Sequence, residues 1–123
     1  MMSQPILIVE DDPDGQALVS HVVSHLRMPN HVVGDAERAT LALFESGTAY
    51  RAVVIDLALP GKDGWELLSD IRASPVTAKL LCIAVTAFHT SKTREDALRA
   101  GFDAYFAKPL DATHFARELE ALL

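Results

Sequence analysis

A chain of 123 residues, half of them apolar, is long enough for one domain with its own core and leaves little room for a second. Its formal net charge of −6 and the lack of any basic run exclude a sequence-independent grip on nucleic acid, which needs clustered lysine and arginine. Met1 to Pro5 is a short polar start without the parts of a signal peptide, and no apolar run reaches membrane-spanning length, so a cytoplasmic location is expected.

Ile6 to Val9 is a continuous apolar run, as expected of a strand covered on both faces, and it stops at Glu10-Asp11-Asp12. Pro13 suits the first turn of a helix whose Leu18, Val19, Val22, Val23 and Leu26 recur at helical spacing until Pro29 and Asn30 end it. Asp12 reads equally well as the N-cap of that helix or as a metal ligand. His31 to Val33 is a weaker strand, and Asp35 caps a helix carrying Ala36, Ala39, Leu43 and Phe44 as far as Gly47.

Ala52 to Ile55 is a buried strand that delivers Asp56 at its carboxyl end, and Pro60-Gly61 supplies the tight turn beyond it. Asp63 caps a third helix with Gly64, Leu67, Leu68 and Ile71 on its apolar stripe, broken at Ser74-Pro75. Leu80 to Val85 is the fourth strand, ending at Thr86-Ala87. The single cysteine, Cys82, lies inside it and reads as an inert core thiol. A polar helix from Ser91 to Ala100 stops at Gly101 and offers an exposed contact surface. Ala104 to Ala107 is the last strand and ends at Lys108-Pro109. Asp111 then caps a helix striped with Ala112, Phe115, Ala116, Leu119, Leu122 and Leu123.

Five apolar strands alternating with five helices imply an α/β fold, with a parallel sheet, right-handed crossovers and helices on both faces. The carboxyl ends of the strands then present Glu10-Asp11-Asp12, Asp56, Thr86 and Lys108 on one rim, where ligands bind in open parallel sheets. Acids that close disfavour one another's ionised form unless a cation sits among them. Mg²⁺, which takes carboxylate, water and phosphate oxygens, meets that need. The set suits phosphoryl transfer: one carboxylate attacks, the metal neutralises charge and the ammonium pairs with the transferred oxygens.

The remaining polar residues carry less. His21 and His25 stand four apart on a helix, a zinc-binding spacing, but no third ligand is visible and they read as flanking the core stripe. His31, His89 and His114 are isolated and take no role, and Trp65 packs at a helix surface.

From Ile6 to Leu123 the chain resembles the receiver domain of two-component response regulators. The resemblance rests on the acids after the first strand, Asp56 followed by Leu59-Pro60-Gly61-Lys62-Asp63-Gly64, the Thr86-Ala87 pair, and Lys108-Pro109, in order at the ends of the first, third, fourth and fifth strands. It implies a flavodoxin-like, doubly wound (βα)5 fold with strand order 2-1-3-4-5. Residues 1–123 read as a single receiver with no effector domain, and a stand-alone receiver and one excised from a hybrid kinase or a DNA-binding regulator would read the same. The resemblance also implies that Asp56 accepts a phosphoryl group from a phosphohistidine on a sensor histidine kinase or a histidine phosphotransfer protein. Asp11, Glu10, Asp56 and the backbone carbonyl of Ala58 would hold Mg²⁺ or Mn²⁺. Ala58, Thr86, Ala87 and Lys108 would surround the phosphoryl group, after a cis Lys108-Pro109 peptide.

Tyr105 matches the family's switch aromatic, though an ordinary core role also fits it. Phosphorylation would draw Thr86 inward, Tyr105 would fill the space, and the face of the fourth helix, fifth strand and fifth helix would change its affinity for a protein target. The same resemblance implies a monomer or a phosphorylation-dependent dimer, and places Phe88 where its bulk hinders the water that would hydrolyse the phosphoryl group. Autodephosphorylation would be its only other reaction, so it is not an enzyme in the ordinary sense.

Three rivals remain. A haloacid-dehalogenase-like phosphatase needs a second aspartate where Ala58 stands. A flavodoxin-type FMN carrier needs phosphate donors where the first loop is acidic. A pseudo-receiver lacks an acid or the lysine, and here neither is missing.

Overall fold

The computed structural model describes residues 4–123, so most of the polar start at Met1 to Pro5 lies outside the described residues. The elements are β1 (Ile6–Val9), α1 (Pro13–His25), β2 (Asn30–Val33), α2 (Ala36–Phe44), β3 (Ala52–Asp56), α3 (Gly64–Ala73), β4 (Leu81–Thr86), α4 (Ser91–Ala100), β5 (Ala104–Ala107) and α5 (Ala112–Leu122). All neighbouring strands pair in parallel, in the order β2-β1-β3-β4-β5, as expected for a flavodoxin-like (βα)5 fold. From β1 the chain winds outward to β2 on one side, and β3 pairs on the other. The crevice above the carboxyl ends of β1 and β3 is thus the switch point of the sheet.

Side chains alternate across the sheet and build two layers of core. Leu7, Val9, Val53 and Ile55 pack with Leu67, Leu68 and Ile71 of α3 on one face. On the other, Ile6, Ile8, Val54 and Ile83 meet Val19 and Val23 of α1 and Phe115 and Leu119 of α5. Both faces of the central strands are therefore covered, which is why those strands read as unbroken apolar runs.

Side-chain caps fix where the helices begin. Asp12 Oδ2 accepts from Gly15 N at 2.9 Å, Asp35 from Arg38 N at 2.8 Å, and Asp111 from the amides of Thr113 and His114. Asp63 and Glu66 form a reciprocal capping box on α3. Thr90, which sequence reasoning passed over, caps α4.

Several boundaries differ from expectation: α2 ends at Phe44, with Glu45 as its C-cap, rather than at Gly47, and β4 runs Leu81–Thr86 rather than Leu80 to Val85. α1 stops at His25 rather than at Pro29, because Leu26 closes the last turn and Arg27 turns the chain in the left-handed region at φ 62°. Asn30 opens β2 instead of ending a helix; its side chain accepts from Ser20 Oγ and donates to Ser24 Oγ of α1. Phe44, the last residue of α2, is 37% exposed. Among the described residues no helix is long and apolar enough to cross a membrane.

Candidate functional site

Asp56 is the last residue of β3, paired with Val85, and is only 6% exposed. Its Oδ1 accepts from Ala58 N at 3.0 Å, so the following loop orients the carboxylate. Lys108 Nζ donates to Oδ2 at 3.2 Å. Lys108 arrives beside Asp56 because its amide donates to Thr86 O at 2.8 Å, which lays the end of β5 along β4; the Lys108-Pro109 peptide is cis, as expected.

Glu10 follows β1 directly: its amide donates to Val33 O at 3.0 Å, and its carbonyl accepts from Gln16 Nε2 at 2.7 Å. The carboxylate accepts from Lys108 Nζ at 2.6 Å. It reaches that position by folding beneath α1, where a Cβ on Gly15 would lie 2.3 Å from Oε1. Sequence reasoning gave no role to Gly15 or Gln16. The signal for Gly15 was a glycine in a first helical turn that no turn geometry requires, at a cost of about 0.8–1 kcal/mol in helix propensity. Gly64 opens α3 equally tightly, since a Cβ there would lie 2.6 Å from the carbonyl oxygen of Asp56.

Carboxylate oxygens of Glu10, Asp11 and Asp56 lie within 4.8 Å of one another. Asp12 stands outside this set, its carboxylate engaged in the cap of α1. Of these three acids, Glu10 and Asp56 share the one ammonium of Lys108. Burial, then the hydrogen bond and charge of Asp56, push the Glu10 carboxyl up to about 7, against the opposing pull of Lys108. For Lys108 burial alone would lower the pKa, but the hydrogen bond to Glu10 and the charge of Asp56 outweigh it and hold the ammonium above its ordinary value. The donors are hard oxygens and the surplus charge is negative, so the cluster fits a divalent cation.

Thr86, 1% exposed at the end of β4, accepts at Oγ1 from Phe88 N at 3.1 Å. With Ala58, Phe88 and Trp65 it borders a hollow on one side of the rim. On the other side, Glu10, Asp56, Ala87 and Lys108 border a cavity of about 380 Å³ that runs between α1 and the loop after β5. Phe88 is 73% exposed, and Trp65 meets Phe102 edge-on, as a helix-surface aromatic should.

Tyr105 is 8% exposed and packed in the core of the α2, α3 and α4 face. The sequence expectation had this ring moving inward on phosphorylation, yet here it is buried already. Its hydroxyl pairs with His89 Nδ1 at 3.0 Å, so His89 is not the isolated residue it resembled. His31 likewise pairs with Tyr50 and His114 packs edge-on against Phe106, whereas His21 and His25 stay exposed beside the α1–α5 seam.

Residues 6–120 match the response regulator receiver domain. The chain belongs to that family. An uncharacterized 14.6 kDa protein of Leptolyngbya boryana is 36% identical, over 91% of this chain and 84% of its own. The transcriptional regulatory protein TcrA of Mycobacterium tuberculosis is 33% identical over 95% of this chain but only 45% of its own length. Thus the chain spans less than half of that relative. Among solved structures, the receiver domain of the sensor histidine kinase PA1611 of Pseudomonas aeruginosa, with magnesium in its active-site cleft, superposes with a TM-score of 0.83 at 31% identity, covering 97% of this chain and 96% of that one.

A receiver is the phosphoacceptor module of two-component signalling, and this one is a signalling domain rather than an ordinary enzyme. The acidic cluster of this receiver is compatible with a divalent metal, and interaction with histidine kinases and downstream targets follows from the family.

Proposed function

We propose that Asp56 is the phosphoacceptor of this receiver. An oxygen of its carboxylate attacks the phosphorus of a phosphohistidine on a sensor histidine kinase or phosphotransfer protein. The P–N bond breaks, its electron pair stays on the imidazole nitrogen, and that nitrogen takes a proton. The observation that carries this reading is the hydrogen bond from Lys108 to Asp56: a buried strand-end carboxylate already held by the cation that would pair with a transferred group.

Glu10, Asp11, Asp56 and the carbonyl of Ala58 would hold Mg²⁺ or Mn²⁺, an assignment supported by the close carboxylates and by the magnesium described for the Pseudomonas relative. When bound, the ion neutralises charge on the phosphoryl oxygens. Lys108 then trades its contact with Asp56 for the phosphoryl group, Thr86 offers its hydroxyl, and small side chains at Ala58 and Ala87 leave the backbone accessible. Phe88 limits the approach of water, so Phe88→Glu should shorten the phosphoryl lifetime in the domain's slow autodephosphorylation.

The receiver of residues 1–123 is cytoplasmic, monomeric or dimeric on phosphorylation, and acts on a protein target through α4, β5 and α5 rather than on nucleic acid. Incubation with acetyl phosphate and Mg²⁺ should add one phosphoryl group by intact mass, and Asp56→Ala should abolish the gain. No gain in the unaltered chain would favour a pseudo-receiver.

A further inference from the structure

Thr86 and Tyr105 are joined through one short loop. The Phe88 amide donates to Thr86 Oγ1 at 3.1 Å, and the next residue, His89, holds the Tyr105 hydroxyl at 3.0 Å. The two rings lie 5.5 Å apart, tilted by 43°. Tyr105 is 8% exposed, and its hydroxyl pairs with His89, which is itself exposed. Arg94 of α4 borders the same groove, and its charge acts on the Tyr105 hydroxyl against the upward push of burial.

We propose that His89 is a latch for Tyr105: the imidazole holds the ring buried between α4 and β5 without a phosphoryl group at Asp56, and it ties the ring to the loop that Thr86 anchors. The inference rests on the reading of Thr86 and Tyr105 as the switch pair. The ring packs in the core while its hydroxyl faces the groove that Arg94 borders, so the hydrogen bond to His89 is the polar contact that favours the inward ring over one swung out to water. Any displacement of the Thr86 hydroxyl toward Asp56 pulls on the Phe88 amide, and through the adjacent residue on Tyr105. His89 is thus a positioning residue that sets the resting population of the inward ring. It does not touch the reacting atoms.

A ligand that binds only one arrangement has its apparent affinity reduced by the fraction of molecules in that arrangement. If His89→Ala lowers the inward fraction to roughly a tenth, the affinity for a phosphoryl mimic bound with the ring inward falls about tenfold. The test uses the full chain labelled with 3-fluorotyrosine, with Tyr50→Phe leaving Tyr105 as the single reporter.

The expected result is a fluorine resonance protected from a soluble paramagnetic agent in the parent and exposed in His89→Ala. Beryllofluoride with Mg²⁺ should return it to the protected state in His89→Ala, with an affinity several-fold weaker than in the parent. His89→Gln, whose amide can still reach the hydroxyl, should restore both readings. In a Tyr105→Phe background His89→Ala should leave beryllofluoride affinity unchanged. A ring that stays protected in His89→Ala would overturn the latch. So would equal loss in His89→Gln and His89→Ala, which would mean general damage to the loop. If beryllofluoride fails to bind even the parent, the reading of Asp56 falls, while the resting fluorine spectra still decide the latch.

Discussion

Lys108 Nζ lies 2.6 Å from Glu10 Oε1, a hydrogen bond that joins the end of β5 to the end of β1 across 98 positions of sequence. The same ammonium reaches Asp56 at 3.2 Å, so one lysine is the counter-ion of two buried acids. Lys108→Met would leave both acids without it. Removing one partner of a buried charged pair costs about 1–3 kcal/mol or somewhat more. Urea unfolding in a chelator should show that loss, and saturating Mg²⁺ should recover most of it by supplying another cation. Equal losses with and without Mg²⁺ would mean that Lys108 contributes packing rather than charge.

The pH dependence follows from the sign of the Glu10 shift. Its folded value of about 7 stands above the ordinary 4.5, so the metal-free native state holds this proton more tightly than the unfolded chain. Stability from this group is therefore full below about 4.5 and is lost as pH rises to about 7. The metal-free urea midpoint should fall across that window, and Glu10→Gln should flatten the profile there. Lys108 acts elsewhere: its raised value makes its contribution fade only in alkali, above the ordinary 10.5.

Gly15 and Gly64 should respond differently to alanine. A Cβ on Gly15 meets the free end of the Glu10 side chain, which can swing away. Gly15→Ala should thus fold normally, weaken the contact between Glu10 and Lys108, and alter the stability profile below pH 7. A Cβ on Gly64 meets the backbone of Asp56 and Leu57, which cannot give without moving the end of β3. Overpacking of this kind costs about 1–3 kcal/mol, so Gly64→Ala should lower the thermal midpoint and Mg²⁺ affinity together.

Cys82 is fully buried, and burial pushes its thiol up to about 12, with the nearby Asp103 adding to the shift against Arg72. A thiol-reactive probe at neutral pH should leave the native chain unlabelled and react at once in denaturant. Rapid labelling of the native protein would contradict a rigid β4.

Most of the fold was legible because local signals agreed. Continuous apolar runs marked strands covered on both faces, and Asp12, Asp35, Asp63 and Asp111 marked helix starts through caps the structure contains. The end of α1 was not legible, since the chain turns at Arg27 rather than at a glycine, and the Asn30 contacts that support β2 lie across the α1 turn. Within the site, residue types at strand ends were enough to gather Glu10, Asp11, Asp56 and Lys108. The fit of Gly15 to Glu10 and the pairing of His89 with Tyr105 depend on side-chain placement in three dimensions. Helical or strand periodicity holds no trace of either.

The central claim is that Asp56 receives the phosphoryl group, and its most direct test locates the modified residue. After incubation with acetyl phosphate and Mg²⁺, borohydride converts an aspartyl phosphate to homoserine, which peptide mass spectrometry can assign to a position. The expected result is homoserine at position 56 alone, absent without Mg²⁺ and absent when the donor is omitted. Modification at Asp11 or Asp12 instead, or none at any aspartate while the donor is turned over, would contradict it.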